Sequence, residues 1–253
     1  MFKTCAKQNK AWGKGRGSSL SLGVLAAVLS LSLAPPLAAD SREQAKRIHD
    51  RLTGVPPTAA VLDRMEDEIA LNSDPFAAAM IAIDGPNNPN KKNFYSVTLK
   101  NFATPWTNRE QSAFAPLNDY TATVIGMIRD ERPFNQLLSA DSLYAGAPGL
   151  PGVAAVSANS NQHYIDLEAN GVDLSDPDKL QPVLQQAVTG IPASATAGVM
   201  TTRAAARAFF IDGTNRAMFR FTMLNHLCND LEQVKDITRS PDRIRQDVSR
   251  SPG

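Results

Sequence analysis

The sequence predicts a mainly α fold, a single irregular multi-helix domain that follows a cleaved signal peptide. Three observations carry this. Apolar residues recur at spacings of three and four in most segments between Asp40 and Leu231, the period of helices that each bury one face. Breaks rich in glycine, proline and asparagine at residues 54–57, 84–92 and 145–160 separate those segments and end helices rather than continue them. The first 39 residues run in the order charge, apolar stretch, small residues, which is the layout of an export signal.

The signal itself begins with Lys3, Lys7, Lys10, Lys14 and Arg16, with no acidic residue among them. Leu20 to Leu33 form the apolar stretch, and Ala34-Pro35-Pro36-Leu37-Ala38-Ala39 precedes Asp40. The stretch falls short of the roughly 20 apolar residues a membrane span needs, so cleavage after Ala39 is the expected outcome. The chain is then periplasmic or otherwise exported, and it meets a membrane only if the signal stays on. Cleavage removes five of the 26 basic residues and none of the 25 acidic ones, so a formal charge of +1 becomes −4. Without a clustered basic excess the chain offers no nucleic-acid surface. Cys228 is the only cysteine after residue 39, so no internal disulfide can form and the core must carry stability.

The helical domain is expected over residues 40–235, with a polar, proline-interrupted tail or linker at 236–253. Ser41-Arg42-Glu43-Gln44 has the capping-box pattern, and Ala45, Ile48 and Leu52 follow at helical spacing until Gly54 and Pro56-Pro57. A second helix is expected from Thr58 to Leu71, with Val61, Leu62, Met65 and Ile69 inward. Asp74-Pro75 should cap a third, running to Ile83. Phe94 to Trp106 suits a strand or a short helix. Pro116 to Asp130 should be helical with Leu117, Tyr120, Val124 and Ile128 in line, and Phe134 to Tyr144 should form a further helical piece. Residues 145–160 are expected to be a mobile loop. His163 to Ala169 should be helical, and Asp176-Pro177 reads as a cap opening a helix to Val188. Helices are expected again at Thr202–Phe210 and Asn215–Leu231.

Few residues carry chemistry. On the last helix Ala217, Phe221, Leu224, Cys228 and Leu231 form one apolar stripe, which points Cys228 inward. His226, two positions away, then faces solvent, where it can meet a partner or a cofactor on another domain. His49 and His163 are expected at the surface or partly buried, and three scattered histidines make no zinc signature. Asp63, Glu66, Asp67 and Glu68 lie on the polar face of their helix. Asp84, Asn87, Asn88 and Asn90 offer oxygens in a turn, but not in the order of a calcium loop. Arg203, Arg207, Arg216 and Arg220 cluster on two neighbouring helices. Arg216 and Arg220 are four apart, so they can share an anionic group such as a propionate or phosphate, or pair with the surplus acids. Trp106, in Thr104-Pro105-Trp106-Thr107-Asn108, is either a core anchor or an exposed binding aromatic. Serine-hydrolase, Walker and dinucleotide motifs are absent, so no catalytic residue or metal site is assigned. The candidates for cofactor binding are Arg216, Arg220, His226 and Trp106.

Several segments resemble a known family. Ile48 to Pro57 (IHDRLTGVPP) resembles the opening of planctomycete-type cytochrome c-associated exported proteins. Pro116 to Tyr120, Arg132-Pro133-Phe134 and Leu143-Tyr144 resemble the helical middle of related exported proteins. Ala197 to Thr202, Gly213 to Arg216 and Leu224 to Cys228 resemble the segment before their haem region. The resemblance implies an exported helical module of a c-type cytochrome-like protein, with an electron-transfer or scaffold role and a haem-bearing domain or periplasmic redox protein as partner. No Cys-x-x-Cys-His occurs in these 253 residues, so the resemblance places haem c only on a segment beyond Gly253. The alternative, which the absence of any cofactor motif supports, is a stand-alone periplasmic binding or interaction module without redox chemistry.

Overall fold

A computed structural model of the chain describes residues 40–211 and 217–230. The signal segment, Arg216 and the 236–253 tail lie outside the described residues. The unit that begins at Ser41 is mainly helical, as predicted.

Three helices open this unit. Helix α1 (Ser41–Thr53) is followed by α2 (Ala59–Ala70), whose N-cap Thr58 accepts a hydrogen bond from Val61 N. Asp74 caps α3 (Pro75–Asp84) by accepting from Phe76 N and Ala77 N, with Pro75 at the first helical position. These caps satisfy donors that a helix start otherwise leaves orphaned. Ala45, Val61, Met65, Ala78 and Ala82 form their shared core, and Arg42 bridges to Asp63 and Glu66 across the surface.

The larger core gathers around α5. A π-helical turn (Phe94–Leu99) runs into α4 (Lys100–Ala103) and a 3-10 turn (Thr104–Thr107), which resolves the ambiguous segment in favour of helix. Asn118 then caps α5 (Asp119–Arg129). Every residue of α5 from Asp119 to Met127 is buried, so this helix is central rather than one-faced as its stripe implied. Helix α6 spans Gln162–Ala169, α7 Gln185–Thr189 and α8 Arg203–Ala205, the last continuing as a π turn (Ala206–Ile211). Helix α9 spans Ala217–Leu227.

Three expectations are corrected. Tyr144 lies not in a helix but in strand β1 (Leu143–Gly146), which pairs antiparallel with β2 (Leu180–Val183), Tyr144 opposite Pro182. Asp176 does not open a helix: its carboxylate accepts from Asp178 N, closing a local turn that delivers the chain into β2. Local Asp-to-backbone bonding of this kind competes with helix formation, and the partner strand, remote in sequence, decides the outcome. The 145–160 loop is tied down rather than loose, because Gly146 N donates to His163 Nε2, Ala154 N to Asp166, and Asn170 Nδ2 to Gly152 O.

Candidate functional site

Two side-chain clusters meet at the first turn of α5. The first surrounds a cavity of about 540 Å³ lined by Asn108, Arg109, Asn118, Asn161, Arg203 and Arg207, among others. Its frame is built of amides. Asn118 Oδ1 accepts from Thr121 N at 3.0 Å, and its Nδ2 donates to Thr107 Oγ1 at 3.1 Å. Asn108 closes its own loop, donating to Thr104 O and Ser112 O and accepting from Ser112 N. Asn161 donates to Leu117 O at 2.8 Å and accepts from Arg203 Nη2 at 2.5 Å.

Behind this frame lies Asp119, 4 % exposed. Its carboxylate accepts from Arg203 N at 2.6 Å, Ala204 N at 3.0 Å and Tyr120 N at 3.0 Å. Burial pushes this carboxyl above its ordinary value, while the Arg203 charge and the three backbone donors pull the other way. Asp119 therefore fixes the start of α8, and with it the root of the Arg203 side chain. Arg203 Nε is buried and meets no acceptor among the described residues. A buried donor left unpaired carries a desolvation cost. Arg203 brings an always-charged guanidinium to this wall, which suits an anion.

The second cluster holds His226, Trp106 and Tyr120. Tyr120 Oη and His226 Nε2 lie 2.6 Å apart. Burial raises the Tyr120 hydroxyl and lowers the His226 imidazole, so both stay neutral near neutral pH. Two neutral groups share one proton across this contact, and the imidazole tautomer sets which of them donates. The Trp106 ring stands edge-on to His226 with centroids 5.5 Å apart, and Phe102 packs against Trp106 with centroids 4.8 Å apart. Asn225 Nδ2 donates to Trp106 O. Trp106 is thus a half-buried anchor for α9, packed against the large core.

The expected orientations on α9 are reversed. Cys228 is exposed, and it is His226 that turns inward. The helix ends at Leu227, and Cys228 adopts φ 51°, so the stripe breaks one residue before the thiol. His49 and His163 are also corrected. Both are buried: His49 pairs with Val55 O and Asn88, and His163 pairs with Gly146 N and Ala154 O. Each imidazole is thereby engaged by backbone segments that no local sequence signal places beside it.

Among the cofactor candidates, Arg220 forms a two-pronged pair with Asp230, Nε and Nη2 each 2.9 Å from an oxygen. His226 Nε2, which a solvent-facing histidine would offer to a partner, is taken by Tyr120. Among the described residues no three His, Cys, Asp or Glu side chains gather as a metal-ligating group, and no helix is long and apolar enough to cross a membrane. Asp119 and Asn161 carry no distinguishing sequence signal, because each looks like an ordinary cap or loop residue until Arg203 is brought to it. No family model, curated protein or solved structure matches the chain.

Proposed function

We propose that this chain is an exported binding module without redox chemistry of its own, which takes a small anionic ligand in the Arg203 cavity. The observation that carries this reading is Arg203 itself. Asn161 holds the guanidinium, and Asp119 the backbone at its root, at the wall of a cavity of about 540 Å³, while its Nε–H lacks an acceptor among the described residues. A planar, always-charged donor in that state matches a carboxylate or phosphate group, and the volume lies within the range of pockets for small molecules. Export rests on the layout of residues 1–39.

A second reading keeps the chain as a helical module of a c-type cytochrome-like protein with an electron-transfer or scaffold role. The Phe102–Trp106–His226–Tyr120 aromatic run favours it, with a haem-bearing domain or periplasmic redox protein as the partner. The pairings of Arg220 and His226 weigh against those two residues as its contacts.

The test is calorimetric titration of the exported protein with citrate, succinate and inorganic phosphate, beside the Arg203→Gln variant. At least one anion should bind, with a loss of tenfold or more in Arg203→Gln, since a charge-assisted hydrogen bond contributes about 1.5–3 kcal/mol. Binding by none of them, or equal binding by the variant, overturns the proposal. A visible haem absorbance in the same preparation would favour the second reading.

A further inference from the structure

We infer that a second cavity, lined in part by Leu117, binds a small aliphatic carboxylate. It does not depend on the Arg203 cavity. The space measures about 230 Å³ and lies where the π turn Phe94–Leu99 meets α6 and the segment after it. Its wall is apolar where Leu117, Leu167 and Leu174 face it, all three buried. Its rim is polar, with Lys92, Ser96 and Lys100.

The charges at this rim decide the ligand's sign. Among the described residues that line it Glu168 is the one acid, and both its oxygens are engaged: Oε1 by Lys100 Nζ, and Oε2 by Leu117 N at 2.9 Å. Lys100 is thereby neutralised. The exposed Lys92 side chain makes no hydrogen bond or ion pair within the described residues, and neither does Ser96 Oγ. An apolar wall beside one uncommitted ammonium and one uncommitted hydroxyl fits a molecule with a hydrocarbon body and a single anionic head. A carboxylate suits this rim better than a phosphate, because only one positive charge is uncommitted. The volume is below the roughly 300–1,000 Å³ of pockets for drug-sized ligands, which sets the body at a short chain. The π turn adds an independent sign: such wide turns are rare and concentrate at functional sites, and this one carries Ser96 on the cavity rim.

Acetate, butyrate, hexanoate and hexanol distinguish this site from others, titrated into the intact protein and followed by calorimetry and by amide chemical shifts. Affinity should rise with chain length from acetate to hexanoate, by up to about fourfold for each added methylene. Hexanoate should bind about tenfold more tightly than hexanol, and Lys92→Gln, a rim substitution that leaves the core untouched, should remove most of that difference. Hexanoate shifts should centre on Ser96, Leu167 and Val172, and should persist in Arg203→Gln. No chain-length dependence, equal binding by Lys92→Gln, or loss of hexanoate binding in Arg203→Gln would each overturn the inference. The Arg203 cavity can fail its own test while hexanoate still binds here, so the two results stand apart.

Discussion

The Tyr120–His226 hydrogen bond joins two groups that both keep their neutral forms, and that sets how the residue pair answers to pH. An unfolded histidine titrates near 6.5, and burial holds His226 below that. Between the folded and the ordinary value the unfolded chain binds the extra proton, so stability rises with pH across that window. The contribution is complete above about pH 6.5 and is lost as pH falls toward the folded value. Urea unfolding followed by Trp106 fluorescence should therefore show a lower midpoint at pH 5.5 than at pH 7.5, and His226→Phe should flatten that difference. Tyr120→Phe should cost about 1–3 kcal/mol at pH 7.5, because it leaves a half-buried ring nitrogen without its partner. A pH difference unchanged in His226→Phe would assign it to other groups. The sequence shows none of this pairing. A two-residue spacing says that His226 and Cys228 diverge, but not which of them the helix end will release.

At the scale of elements, legibility follows the strength of local signals. Helices α1, α2 and α3 carry caps at Thr58 and Asp74 and a Gly54–Pro57 stop, so their existence and type can be read directly. The two strands cannot. Each is four residues long, and the Asp176-Pro177 pair is a helix-start signal that the turn into β2 uses for another purpose. What places β1 is its packing on α5. Gly126 sits mid-helix, and a Cβ there would stand 2.0 Å from Tyr144 Cδ1. Glycine within a helix ordinarily costs about 1 kcal/mol against alanine, so Gly126→Ala would stabilise α5 alone. Overpacking of a close contact costs about 1–3 kcal/mol, and here the neighbour is an aromatic ring whose hydroxyl is tied to Asp130 at 2.7 Å. The expected net result is a destabilisation of up to about 2 kcal/mol by urea unfolding. A gain in stability would show that the strand can move away from the helix.

Across the whole described unit, Asp119 links the chain's middle to its late helices. Its carboxylate accepts from backbone groups 84 and 85 residues away, and the residue after it, Tyr120, holds His226, 106 residues away. One helix start therefore positions both Arg203 at its cavity and α9 at the aromatic cluster. This explains why the candidate site is only partly legible in the sequence. Arg203, Trp106 and His226 stand out by residue type, whereas Asn118-Asp119 reads as a routine cap, and its long-range role depends on the fold. Asp119→Ala leaves the Arg203 and Ala204 N–H groups without their acceptor at a site 4 % exposed. At about 1–3 kcal/mol for each orphaned donor, the loss should reach about 2 kcal/mol or more. Asp119→Asn should lose less, because one amide oxygen remains to accept. If Asp119 acts through Arg203, both variants should also weaken anion binding in conditions where they remain folded, in the order alanine worse than asparagine. Calorimetry on folded protein separates the two effects. A stability loss with unchanged anion affinity would mean that Asn161 alone is enough to hold the guanidinium.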